Sequence, residues 1–161
     1  TWVKACQKTG AKVILDADGE LLAAGLKASP YLVKPNNHEL SRLFGRTLEL
    51  KGDIEKAARK LMEEYKIAKV IVSMGGEGAL YVTGEETIYA EGLKVLVGST
   101  VGAGDSVVAA LAVAEEGEMS LEDTVRLSTA TGAANVMCSG TQAAEYEVIE
   151  KLIPQVVFYK W

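Results

Sequence analysis

Three short aliphatic runs, Val13-Ile14-Leu15, Tyr31-Leu32-Val33 and Val70-Ile71-Val72, lack polar alternation and are separated by residues at helical spacing. A strand apolar at successive positions is buried on both faces, and parallel strands need a crossover of a dozen or more residues between them. The chain is therefore expected to fold as α/β. Its strands are predicted over residues 12–16, 31–33 and 69–73. Between them, Leu21, Leu22, Ala24, Gly25 and Ala28 mark a helix over 20–27 that Ser29-Pro30 stops. Asn37 is expected to cap a short helix through Gly45, and Asp53 a longer one to about Tyr65.

The second half reads differently. Gly75-Gly76-Glu77-Gly78 turns into a strand over 79–83, and Gly84-Glu85-Glu86 leads into another over 87–90, which is hairpin spacing. A further strand is predicted over 93–97. Then come a helix from Ala103 to about Glu116, one capped by Ser120 to about Met137, and one near 145–152, with 156–159 as a closing strand. The apolar stripe Leu121, Val125, Leu127, Ala130 and Ala134 is read as core. The whole pattern predicts a three-layer α/β/α sandwich, its sheet mainly parallel with an antiparallel edge hairpin.

At 161 residues, with 48% hydrophobic and 24% charged residues, the chain has the composition of one packed domain. Net charge is -5 and no basic block occurs, which argues against nucleic acid as a partner. No stretch approaches the roughly 18 apolar residues of a membrane span. Cys6 and Cys138 fit no metal or redox pattern and are read as free thiols in a reducing cytoplasm. The opening residues read as the second half of a helix, so the chain is expected to be a fragment.

The chemistry concentrates in turns after strands, where ligands of open α/β sheets collect, so these motifs are expected on one rim. The strongest is Gly102-Ala103-Gly104-Asp105, directly ahead of an apolar helix. Glycines at a helix start let unpaired amides approach an anion, and the dipole favours it there. A carboxylate in such a place has a purpose if it takes a proton beside a phosphate. Alone, the loop also reads as a tight turn with Asp105 as a first-turn charge. It matches neither the dinucleotide fingerprint nor the P-loop. Ser73, Gly75, Gly76, Glu77 and Gly78 form a second glycine turn suited to wrapping a nucleotide, or simply an entry to the hairpin. Lys34 offers a cation for phosphate. Asn36 and Glu39 are spaced to face one metal-water shell, and equally to form a capping box. His38, the single histidine, is placed on the surface, and Asp16 and Asp18 are read as turn residues before Gly19.

In order, Ile14-Leu15-Asp16, Lys34-Pro35-Asn36 with Glu39, Val72-Ser73-Met74-Gly75 with Gly78-Ala79, and Thr100-Val101-Gly102-Ala103-Gly104-Asp105-Ser106 resemble the ribokinase-like, or PfkB, family of sugar kinases. Ser99-Thr100-Val101 and the run from Asp105 to Ala109 look most like its hexose-phosphate branch, 1-phosphofructokinase and tagatose-6-phosphate kinase. The resemblance implies an ATP- and Mg2+-dependent kinase whose substrates are a nucleotide and a phosphosugar, fructose 1-phosphate foremost. It assigns Asp105 as base, the amides of Gly102, Ala103 and Gly104 as anion hole, and Asn36 and Glu39 to magnesium. Lys34, Ser73, the 75–78 turn, Thr100 and Asn135 match its nucleotide-side positions. It further implies that this chain is the carboxy-terminal, nucleotide-binding half. The amino-terminal sugar-binding half and its lid are then missing, the fragment alone is inactive, and the surface left bare favours self-association.

Overall fold

The computed structural model describes residues Thr1–Trp161. Seven α-helices and six strands follow in the order α1 Trp2–Gln7, β1 Ile14–Leu15, α2 Gly19–Leu26, β2 Leu32–Val33, α3 Asn37–Phe44, α4 Lys51–Tyr65, β3 Lys69–Ser73, β4 Gly78–Thr83, β5 Thr87–Glu91, α5 Ala103–Glu116, α6 Leu121–Met137, α7 Tyr146–Leu152 and β6 Phe158–Lys160. The strands form one sheet in sequence order. β1, β2 and β3 are parallel, with Ile14 opposite Leu32 and Val33 opposite Val70. β4 and β5, hydrogen-bonded neighbours joined by three residues, can only be antiparallel. Glu91 donates its amide to Val157 and Trp161 donates to Thr87, so β6 runs antiparallel to β5. The fold is α/β as expected, with a mixed sheet.

By its packing the chain divides into two compact units. The first comprises Thr1–Met74, Leu80–Thr87 and Lys160–Trp161. Its β3 buries Val70, Ile71 and Val72 in succession, which requires cover on both faces. β2 is only two residues long because Pro30 and Pro35, which have no amide proton, bracket it. α4 lays Ile54, Ala57, Ala58 and Leu61 on one stripe. Its cap is Leu50, without a side-chain bond; the Leu50 carbonyl receives the amides of Asp53 and Ile54, so Asp53 lies in the first turn instead of capping. Likewise Asn36, not Asn37, caps α3, since its carboxamide reaches the Glu39 amide three residues on.

Thr87, fully buried, ties α4 to this hairpin. Its hydroxyl donates to Glu55 Oε1 at 2.8 Å and accepts from Arg59 Nη2 at 2.8 Å, while Arg59 Nε and Glu55 pair at 2.9 Å. Thr87→Val keeps the shape and removes both hydroxyl bonds, leaving the Glu55–Arg59 pair without its buried partner, so it should destabilise by about 1–3 kcal/mol in urea denaturation.

The second unit comprises Gly75–Ala79 and Ile88–Tyr159. Here α5 and α6 pack closely: a Cβ on Gly132 would come within 2.8 Å of Val107 Cγ2. Ser120 caps α6 as predicted, its hydroxyl accepting from Asp123. In the α6 stripe, Val125, Ala130 and Ala134 are buried, whereas Leu121 and Leu127 are only partly so.

The strand expected over 93–97 does not form. β5 already has β4 on one edge and β6 on the other, leaving the run no adjacent edge to pair with. Leu96 and Val97 stand 89% and 67% exposed, and Gly98 and Ser99 donate instead to the Val136 carbonyl at the end of α6.

Candidate active site

In the first unit, the turns after three parallel strands carry the candidates. Asp16 follows β1 and Lys34 follows β2; Asn36 bridges to Ser73 at the end of β3, where the Ser73 amide donates to Pro35. Lys34 is buried, and its Nζ pairs with Asp16 Oδ2 at 3.1 Å. Burying an ammonium is costly without a counter-ion, so Asp16 is more than a turn residue. Composition around Gly19 gave no sign of this; the two residues meet only because β1 and β2 are adjacent. Of the three N–H groups of Lys34, Asp16 accepts one, and no other protein acceptor is in reach. Asp18 does serve locally, capping α2 through Gly19 and pairing with Arg42 at 2.8 Å. His38 is exposed.

Asn36 and Glu39 form a complete capping box: Asn36 Oδ1 accepts from the Glu39 amide at 2.8 Å, and Glu39 Oε2 from the Asn36 amide at 2.9 Å. Glu39 Oε1 stays unspent. No cluster of three or more acidic, histidine or cysteine side chains builds a metal cage anywhere in the chain. That donor set suits a magnesium ion that keeps its waters and leans on one carboxylate and a substrate's phosphates.

In the second unit, Gly75–Glu77 makes a single 3-10 turn whose residues are exposed. Gly75 has φ +59° and Gly78 φ +108°. The turn rests on residues 89–92: Tyr89 donates its hydroxyl to the Glu77 carbonyl at 2.6 Å, and a Cβ on Gly92 would strike the Gly76 carbonyl oxygen. Nothing in the local sequence around Tyr89 or Gly92 announces this contact.

The loop ahead of α5 is an open helix start. Gly102, at φ +82°, is the N-cap and supplies no side chain; its carbonyl takes the Ser106 amide at 2.9 Å. Gly104 is not in a left-handed conformation, so its use is to bare the backbone. The Ala103 amide leans on the Thr100 carbonyl at 3.4 Å, whereas the amides of Gly102, Gly104 and Asp105 meet no acceptor. Thr100 and Asp105 are exposed, and the Asp105 carboxylate has no hydrogen bond or ion pair. Unpaired amides next to a free carboxylate can hold an oxyanion and receive a proton beside it. Asn135 is buried behind this loop. Its Nδ2 donates to Gln142 at 3.1 Å, and its Oδ1, without a partner, lies 3.7 Å from where a Gly102 Cβ would be.

Glycine turns and a helix start with unspent amides suit an anion such as phosphate, and comparison with known proteins narrows the class. Residues 1–147 match the pfkB family of carbohydrate kinases, and the chain belongs to that family. It is 39% identical over 93% of its length to the ATP-dependent 6-phosphofructokinase isozyme 2 of Escherichia coli, covering 49% of that protein. It is 38% identical over 96% of its length to the 1-phosphofructokinase of Haemophilus influenzae, covering 50%. The crystal structure of Escherichia coli phosphofructokinase-2 with substrates and products superposes with a TM-score of 0.88, at 38% identity over 95% of this chain and 50% of that one. The chain thus spans about half the length of the curated relatives it matches. No helix is long and apolar enough to cross a membrane.

Proposed function

We propose that this chain is the carboxy-terminal, nucleotide-binding half of a cytoplasmic ATP-dependent phosphosugar kinase. Its parent reaction is ATP plus D-fructose 1-phosphate giving ADP and fructose 1,6-bisphosphate. The observation that carries the reading is the start of α5, where the amides of Gly104 and Asp105 are unspent beside a free carboxylate.

In the proposed reaction Asp105 accepts the proton of the sugar hydroxyl as its oxygen attacks the γ-phosphorus, and the bond to the ADP oxygen breaks. Gly102, Gly104 and, once it leaves Thr100, Ala103 offer amides to the charge that develops on the transferring group. Lys34 turns its two remaining N–H groups to phosphate oxygens while Asp16 holds the ammonium in place. Ser73 and the 75–78 turn, with Thr100 and Asn135, belong to the nucleotide side. A magnesium ion, when bound, screens the phosphate charge; Glu39 Oε1 and the Asn36 carboxamide would hold its waters.

Relatives named for two acceptors, fructose 1-phosphate and fructose 6-phosphate, both match at similar identity. The acceptor is chosen by residues outside this chain, so tagatose 6-phosphate, ribose and nucleosides belong in the same assay. Coverage of half of each relative also favours a second reading, a nucleotide-binding or assembly module without chemistry of its own. Co-expression with the amino-terminal half of a pfkB relative, followed by measurement of ADP release, decides between them. We expect turnover only with both halves and fastest on fructose 1-phosphate. Co-purified halves that turn over none of these acceptors would leave the binding module.

A further inference from the structure

The 75–78 turn is exposed and glycine-rich, yet it is not loose. Tyr89, in the middle of β5, is 9% exposed and aims its hydroxyl at the Glu77 carbonyl, 2.6 Å away. Its ring lies against Tyr159 of β6, with centroids 6.5 Å apart and planes 13° from parallel. On either side of that bond the backbones touch without side chains: a Cβ on Gly78 would meet the Ala90 carbonyl, and one on Gly92 the Gly76 carbonyl. The turn is held from behind by one phenol and two glycines.

The direction of that hold matters. A peptide whose carbonyl is fixed on one side has its N–H fixed on the other, because the unit is planar. Anchoring the carbonyls of Gly76 and Glu77 toward residues 89–92 commits the two peptide planes that follow them, and with them the N–H directions of Glu77 and Gly78 that a nucleotide would read. Glu77 is itself exposed, so water can replace the phenol at its carbonyl. The bond therefore contributes little to folding and much to orientation.

We propose that Tyr89 is a positioning residue for the nucleotide: its hydroxyl sets the Glu77–Gly78 peptide plane that closes the Gly75–Glu77 turn, and Tyr159 holds the Tyr89 ring in place. This rests on the nucleotide reading of the turn. It extends the donor site to β5 and β6, whose Tyr89 and Tyr159 act on the turn from behind.

Tyr89→Phe is the direct test, because it removes one oxygen and keeps the ring and its stack. In ¹⁵N spectra of the ligand-free chain, the amide resonance of Gly78, which shares its peptide with the Glu77 carbonyl, should move while those of Gly10 and Gly45 stay. Calorimetric titration with ATP should show affinity about 2- to 13-fold weaker, the worth of one hydrogen bond, with a melting temperature within a few degrees of the parent. Tyr159→Ala should weaken affinity in the same direction as Tyr89→Phe. An unmoved Gly78 resonance would overturn the inference, as would undiminished ATP affinity in Tyr89→Phe. A parent chain that takes no ATP sinks the nucleotide reading itself, a result distinct from equal binding by parent and variant.

Discussion

Asp105→Asn should lower phosphoryl transfer by the reconstituted kinase about 10²- to 10⁴-fold, the usual worth of a positioned general base, without weakening ATP binding. The carboxylate is exposed and engages no other side chain, so the substitution breaks nothing in the fold. What it removes is a first-turn charge on the α5 dipole, about 0.3–1 kcal/mol of stability. Removing a negative charge beside an anion site should, if anything, tighten ATP. The expected signature is a fall in kcat with unchanged or lower ATP dissociation constant and a melting temperature shifted by a few degrees at most. Undiminished turnover would remove Asp105 as base. Joint loss of ATP affinity and thermal stability would make it a structural residue.

Where sequence and structure agree, the signal is local. α5 and α6 carry long helical periodicity, and Ser120 caps through a residue three positions on, so both helices were readable to within a residue. β3 was equally plain, being apolar over successive positions between turns. The glycine loop needed no tertiary knowledge either, since an open helix start follows from Gly102 and the absence of a capping side chain. Local spacing alone misplaces two caps, Asn37 for Asn36 and Asp53 for Leu50, while the other failures turn on partners distant in sequence. Residues 93–97 look like a strand, but pairing needs an edge, and β6 from the far end of the chain takes the one beside β5. Asp16 looked like turn punctuation until β2 brought Lys34 beside it. Asn36 and Glu39 present a subtler case. Their spacing satisfies a capping box and a metal shell alike, and the box is formed while one carboxylate oxygen remains available. Local structure and proposed chemistry here use the same residues, so neither reading displaces the other.

The glycines of the 75–78 turn separate fold from ligand space. Gly78→Ala should cost about 3–5 kcal/mol, a large share of the roughly 5–15 kcal/mol that holds a typical domain. Its φ of +108° is closed to residues with a side chain, and the added Cβ would meet the Ala90 carbonyl, Gly92 N at 2.7 Å and Glu91 C at 2.9 Å. All three are backbone atoms, so relief requires parting the hairpin instead of rotating a side chain. Two residues earlier, a Cβ on Gly76 meets nothing within 4 Å, and Gly76 has no positive φ. Gly76→Ala should therefore fall within about 0.5 kcal/mol of the parent in urea denaturation. In ATP titrations the order reverses in meaning: a methyl on the exposed Gly76 intrudes only on what approaches from solvent, so any affinity lost there is lost to ligand contact. Equal stability of the two variants would show that the turn and residues 90–92 are not packed backbone to backbone, and would remove the support on which the Tyr89 contact depends.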